Sequence, residues 1–389
     1  GYRNAAGSAR AGYRFHNGLE IDASFMHSAG KTQYDGSIAN KAVLMQQVIG
    51  GTARYSPFDF WRVSLIGGRS RDDSDNFLDR AFFSRFNTIR DTISVLNDFT
   101  LSSNNLLTIG MDYQKDHVKS NEAFTVHSRT NLGVFAQHQA TLAQHDVQLS
   151  LRHDDNQQFG SRVTGGAGWS YPITDAIRLL ANFGSAFKAP TFNDLYFPFF
   201  SNPHLNPEDS ISYEFGSRGK ATWGSWSLNF YETYIDNLIA FNVSKSMPDN
   251  IDNARIRGFE GIISAKLKGW QFNANLTLLD PQNRTSDLNR GNILPRRAEQ
   301  SFRLDADRQF GQHYRLGAML LAEGERYDDL ANTRKLDSYV KFDLRAEYIF
   351  NKHWRLQGRI ENLFNERYET AAFFNQPGRN FFAMVRYQP

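Results

Sequence analysis

From Trp270 to Leu278 the chain alternates without a break: Trp270, Phe272, Ala274, Leu276 and Leu278 take one side, Gln271, Asn273, Asn275 and Thr277 the other. A period of two marks a β-strand whose faces meet different surroundings. The pattern returns in residues 341–350, where Phe342, Leu344, Ala346 and Tyr348 oppose Lys341, Asp343, Arg345 and Glu347. It returns again from Trp354, with Leu356, Gly358 and Ile360 opposite Arg355, Gln357, Arg359 and Glu361. Charges at every second position have no place in the core of a soluble sandwich. They suit a strand with lipid on one face and a water-filled or plugged lumen on the other.

About nineteen such segments of roughly 10–14 residues run from end to end, parted by turns rich in Gly, Asn, Asp and Pro. Tight turns near residues 144–145, 269–270 and 352–353 read as periplasmic. Longer connections at residues 73–83, 188–209, 280–295, 326–337 and 367–377 read as extracellular. No linker or low-complexity tract divides the chain, so residues 1–389 read as one barrel domain. Single-chain bacterial barrels close with an even number of strands. An odd count, and a start at Gly1-Tyr2-Arg3 without an export signal, lead us to expect a mature fragment whose N-terminal part lies elsewhere.

Composition narrows the function. No run of 18 apolar residues occurs, which removes a transmembrane helix. The balance of 44 Lys+Arg against 41 Asp+Glu gives no electrostatic footprint for nucleic acid. The 32 Phe and 16 Tyr suit the aromatic girdles of a membrane barrel, and equally a large soluble all-β protein. There is no cysteine, hence no disulfide framework and no thiolate chemistry. The ten His are scattered, no HExxH, GxSxG or P-loop pattern occurs, and Ser150 with His153 reads as structural. We read no catalysis.

The longest motif begins in the alternating strand Ile177, Leu179, Ala181, Phe183, Ser185, Phe187, breaks at Lys188-Ala189-Pro190, and runs through Leu195-Tyr196 to Asn202-Pro203-His204-Leu205-Asn206-Pro207-Glu208. It ends in Ser210, Tyr213-Glu214 and Gly216. This stretch resembles the barrel signature of TonB-dependent outer-membrane receptors. Three further segments resemble the same family: residues 253–260, Leu294-Pro295-Arg296-Arg297-Ala298, and residues 361–368 followed by Pro377-Gly378-Arg379. The segment Arg152-His153-Asp154-Asp155-Asn156-Gln157-Gln158-Phe159-Gly160 is similar to one in the cobalamin (vitamin B12) receptor branch, and short loops point the same way.

The resemblance implies a 22-stranded transmembrane antiparallel β-barrel of the all-β class, here without its N-terminal plug and first few strands. It implies a place in the bacterial outer membrane and active uptake of cobalamin. A siderophore or haem receptor stands as one alternative, a passive porin as another. The implied partners are TonB (through the plug segment), a corrinoid, outer-membrane lipid and lipopolysaccharide, and a periplasmic binding protein downstream, around a monomeric barrel.

Candidate site residues follow. Asp72, Asp73, Asp75 and Asp79 bunch in an expected extracellular loop. They are candidate oxygen ligands for Ca²⁺, which the resembled receptors use in such loops; the competing reading is a solvated acidic turn. Arg296 and Arg297 are candidate ligand contacts from the barrel wall, or ordinary lumen-facing cations. Tyr196, Phe197, Phe199 and Phe200 form either an apolar lip for a corrin ring or part of an interfacial aromatic belt.

Overall fold

A computed structural model describes residues 1–34, 39–197, 200–242 and 245–388, apart from the side chain of Asp252. Among them, nineteen strands form one antiparallel sheet running from Tyr2–Arg14 to Asn380–Tyr387. Each strand pairs with the next along the chain. Two further strands, Arg326–Tyr327 and Lys335–Leu336, make a small separate hairpin, and one short helix spans Phe192–Tyr196. The expected nineteen barrel strands are therefore present. The first and last pair on one side only among the described residues.

The connections alternate between two kinds. At one end strands meet through turns as short as residues 143–144 and 268–269, where Ala143, Lys268 and Gly269 take the left-handed backbone such turns need. At the other end lie residues 189–207, 284–299, 324–338 and 362–379. One expected long connection is absent. Residues 73–83 are no loop: the strands Trp61–Leu78 and Ala81–Ser102 stay paired up to Leu78 opposite Ala81, leaving only Asp79 and Arg80 to turn. The acidic run is part of the ladder because arginines across from it and beside it neutralise it. Arg85 on the facing strand meets Asp75 at 2.6 Å, and Arg71 on the same strand meets Asp73 at 2.6 Å. A second boundary also moves, since the strand expected over residues 296–309 begins at Gln300 and leaves Arg296 and Arg297 in a connection.

Residues directly opposed in a ladder share a face, so the registers carry the alternation around the sheet. Leu65 opposes Val95, Ala136 opposes Leu151, Phe230 opposes Phe259, and Leu276 opposes Phe302. No protein covers this face: Leu65 is 50% exposed, Leu151 61% and Phe230 56%. Its margin beside the short turns is aromatic. Trp61 stacks with Phe58 and Phe99, Trp169 with Tyr171 and His145, and Trp354 lies against Tyr387. Trp169 also donates its indole N–H to His145 Nδ1 at 3.0 Å, giving the ring a polar partner where water begins. From Trp270 to Leu278 the apolar stretch rises roughly 3.3 Å per residue, which at barrel tilt projects to roughly 20 Å, a bilayer-sized band.

The opposite face carries chains of ion pairs that step from strand to strand. Asp22 accepts from Arg10 at 2.9 Å and Arg54 at 3.0 Å, Arg90 holds Asp116 at 2.6 Å, and Arg345 bridges Asp305 (2.9 Å) and Asp307. Most of the buried apolar residues lie instead at the long-connection end. One cluster gathers Leu238, Ile251, Ala254 and Leu294, the other Val118, Phe124 and Phe192.

This geometry predicts an asymmetry between neighbouring positions. Leu149→Arg, midway along the apolar face of its strand, is expected to cost about 2–4 kcal/mol in a lipid bilayer, whereas Gln148→Arg on the polar face costs under about 1 kcal/mol. Urea unfolding of the full-length protein in lipid measures both.

Candidate functional site

The long connections fold back over the polar face and brace one another. In residues 189–207 the helix Phe192–Tyr196 starts at a reciprocal cap: Thr191 Oγ1 accepts the Asp194 N–H at 3.1 Å, and the Asp194 carboxylate accepts the Thr191 N–H at 2.9 Å. Phe192 and Leu195 turn inward, and the Phe197 ring packs 5.6 Å from Phe86. Arg129, near the start of the Ser128–Leu142 strand, fixes this connection from below. Its guanidinium lies between the rings of Phe159 and Phe192 and donates to the carbonyl of Pro190 at 2.9 Å. Gln158 donates to the Tyr196 hydroxyl.

Beneath this roof lies a polar pocket of about 430 Å³, lined in part by Arg90, Asp116, Arg129, Asn131, Arg152 and Asp154. Arg152 is locked by Asp112 at 2.6 Å and Asp154 at 2.8 Å. It lies so close over Gly133 that a Cβ there would fall 1.9 Å from its Nη2, so any larger residue would displace the guanidinium from its place. Asn156 closes the short turn above, accepting the N–H groups of Gln158 (3.1 Å) and Phe159 (3.2 Å). The Arg152–Gly160 motif thus makes a wall and its corner. Ser150 and His153, three residues apart on one strand, fall on opposite faces and form no pair.

Asparagines tie the remaining connections. Asn250 accepts from the Asn206 N–H at 2.9 Å and donates to the Asn206 carbonyl at 3.1 Å. Asn332 accepts the Ile293 N–H at 2.8 Å and donates to the carbonyls of Ile293 (2.8 Å) and Asp329 (3.1 Å). Asn362 accepts the Glu366 N–H at 2.8 Å, while its own N–H reaches Asp343 at 2.8 Å. Arg296 takes the left-handed backbone at φ 58° and holds Asp328 at 2.7 Å, and Asp328 also accepts the Ala372 N–H at 3.2 Å. Burial opposes the charge on Asp328, but Arg296, the Ala372 N–H and Arg334 outweigh it and keep the carboxyl below its usual range. Arg297 is half-buried at the mouth. Burial pulls its guanidinium below its ordinary value, against the opposing pull of Glu208. Glu208 itself pairs with Lys188 at 3.1 Å.

The expected site residues therefore separate. Tyr196 and Phe197 sit over the polar face beside Phe86, Val118 and Phe124, away from the aromatic margin at the short-turn end. Phe200 is exposed, and Phe199 lies outside the described residues. Arg296 and Arg297 are together at the mouth but differ: one is a strut, the other is half-buried with a 3.4 Å bond to the Pro295 carbonyl. The four aspartates are not gathered. Asp72 accepts from Gln46 at 3.0 Å, Asp73 meets Arg71 at 2.6 Å, Asp75 is held by Arg85, and Asp79 accepts from Asn40 at 2.8 Å. Among the described residues no three acidic or histidine side chains converge on a cation-sized space. Sequence reasoning missed Arg129, Asn250 and Asn332. The signal available was polar residues at strand ends beside long connections, too common to single them out.

The family profile described as "TonB dependent receptor-like, beta-barrel" matches residues 1–363. The vitamin B12 transporter BtuB of Photobacterium profundum is 28% identical over 399 residues, spanning 100% of this chain and 65% of that protein. Its Vibrio vulnificus counterpart is 30% identical over 324 residues, spanning 77% and 50%. Thus the chain spans between half and about two thirds of the length of these relatives. Among solved structures, the ferric enterobactin receptor PfeA of Pseudomonas aeruginosa superposes with a TM-score of 0.81 at 16% identity, over 99% of this chain and 69% of that one. The siderophore receptor PirA of Acinetobacter baumannii gives 0.82 at 15%, over 99% and 71%. At such identities the structures show a shared fold.

Two outcomes follow from the bracing. Asn332→Ala is expected to loosen residues 284–299 and 324–338 by about 2 kcal/mol of lost hydrogen bonding, read as faster limited proteolysis there with the strands intact. Because the folded carboxyl of Asp328 is depressed, its contribution is complete above about pH 4 and is lost as pH falls through the lower folded value. Arg296→Gln should remove most of that acid sensitivity, measured by proteolysis across pH 2–6.

Proposed function

Because the chain belongs to the TonB-dependent receptor β-barrel family, whose members are outer-membrane transporters and receptors rather than enzymes, we propose that it forms most of the barrel of a cobalamin uptake receptor. One observation carries the reading: a protein named as a vitamin B12 transporter aligns across the whole chain, through the strands and the braced mouth alike. The mouth has the chemistry a corrinoid needs. Tyr196 and Phe197 offer apolar surface, and the pocket beneath offers amide, guanidinium and carboxylate groups for a ligand rich in amides. Arg297 is placed to contribute a direct contact, and Arg296 to hold the connection that carries it.

In this proposal a plug domain fills the barrel against the Arg–Asp chains of the polar face, since an open lumen of this width would leak solutes. TonB supplies the energy that rearranges the plug, and a periplasmic binding protein receives the corrinoid. The siderophore alternative draws only on fold likeness at low identity, so cobalamin is the better supported ligand.

Equilibrium binding of cyanocobalamin to the detergent-purified full-length receptor tests the proposal. Saturable tight binding is expected, weakened about tenfold or more by Phe197→Ala combined with Tyr196→Ala; absence of binding would return the ligand to the siderophore class. Calcium is tested in the same titration. With Asp72, Asp73, Asp75 and Asp79 each already held by a protein partner, their replacement by Asn is expected to leave cyanocobalamin affinity unchanged with or without Ca²⁺.

A further inference from the structure

The polar pocket of about 430 Å³ under the 189–207 connection has three guanidinium groups in its lining, those of Arg90, Arg129 and Arg152. Two of them are engaged with carboxylates. Arg90 holds Asp116 through Nε to Oδ1 at 2.6 Å and Nη2 to Oδ2 at 3.1 Å, and Gln114 donates to the same Oδ2 at 3.0 Å. Arg152 holds Asp154 through Nε at 2.8 Å and Nη2 at 2.9 Å, and Asp112 through Nη1 at 2.6 Å. Asn131 donates to Asp154 at 2.7 Å. Each carboxylate in the lining is thus already shared by an arginine and an amide.

Arg129 is bound differently. Among the described residues it forms no ion pair, and only its Nη1 donates hydrogen bonds, to the Pro190 carbonyl at 2.9 Å and Gln158 Oε1 at 3.4 Å. Its Nε and Nη2, the two donors along one edge of the fork, have no partner among those residues. Asp116 attracts it through space, but Arg90, bound to that same carboxylate, repels it. The rings of Phe159 and Phe192, centred 5.8 and 5.2 Å from the guanidinium carbon, fix the group in place. A half-buried guanidinium with one edge of its fork unused is suited to take an oxyanion through two parallel bonds.

On the strength of the cobalamin reading, on which this inference rests, we propose that Arg129 binds the phosphodiester in the nucleotide arm of the corrinoid, and that the pocket is the subsite for that arm. The many amides of a corrinoid are neutral and call for no lone cation; the phosphodiester does. The size agrees. A cavity of 430 Å³ is toward the small end of what drug-sized ligands fill, so it takes the arm and leaves the corrin ring above it, beside Tyr196 and Phe197. Because the same guanidinium holds the Pro190 carbonyl, the roof and the arm share one anchor.

The test is equilibrium binding to the detergent-purified full-length receptor with two probes: cyanocobalamin, and dicyanocobinamide, which has the corrin without the nucleotide arm. Arg129→Gln should lower the ratio of cyanocobalamin to dicyanocobinamide affinity by about tenfold or more, the worth of hydrogen bonding to a charged group. Arg129→Lys, which keeps the charge and loses the fork, should give a ratio between those of wild type and Arg129→Gln. Gln158→Ala removes the bond to the Tyr196 hydroxyl and loosens the same roof while leaving the cation, so it should shift both affinities alike. An unchanged ratio in Arg129→Gln, a wild-type ratio in Arg129→Lys, or a ratio that falls as far in Gln158→Ala would each overturn the proposal while leaving cobalamin uptake standing. A wild-type receptor that binds neither probe would overturn the uptake reading and this proposal with it.

Discussion

The structure depends on one constraint: in hydrocarbon every backbone N–H and C=O needs a partner within the protein, because lipid offers none. The nineteen-stranded ladder meets that demand along the sheet, save at the outer edges of the first and last strands, each strand pairing with its neighbour so that no long crossover enters the membrane. Once the ladder exists the side chains have only two places to go. Apolar ones face lipid and polar ones face the interior, which is why the sheet has no conventional core and why residues as large as Phe230 remain exposed. The aromatic margin beside the short turns and the charged border beside the long connections mark where that demand stops.

Beyond the charged border water returns, and the connections can use side-chain hydrogen bonds in place of ladders. Asn250 and Asn332 each satisfy backbone groups on a segment far from them in sequence, Asn362 holds the Glu366 N–H within its own connection, and Arg296 with Asp328 joins two connections to a third through Ala372. The two buried apolar clusters sit under this scaffold. They let a rim made of irregular segments hold the capped helix and the Tyr196–Phe197 surface over the polar pocket.

The polar face works by a different balance. Its Arg–Asp chains are half-exposed to the interior, so each pair adds little stability alone. Their value lies in register and wetting: a guanidinium reaching across the intervening Tyr314–Glu323 strand to two carboxylates of one strand, as Arg345 does with Asp305 and Asp307, favours one alignment of those strands and keeps the wall hydrophilic for whatever fills it. Gly133 shows how tightly this is packed, since Arg152 occupies the space any side chain there would need.

Alternation located the strands and which residues share a face, and the family-like motifs placed those strands in a membrane barrel, where a period of two in a chain without apolar runs has one physical solution. Strands such as His145–Asn156 appear where their pattern places them. The motifs likewise located the mouth. The sequence could not tell a charged ladder from an acidic loop at residues 72–79, since Asp in either setting looks alike until Arg85 and Arg71 are seen across and beside it. Nor could it separate Arg296 the strut from Arg297 the half-buried cation, adjacent residues parted by a single left-handed backbone step. Those distinctions belong to the tertiary structure, because they depend on partners that the chain brings close only after residues 284–299, 324–338 and 362–379 have folded onto one another. Local pattern dictates which face a side chain takes; only the assembled rim decides what it touches.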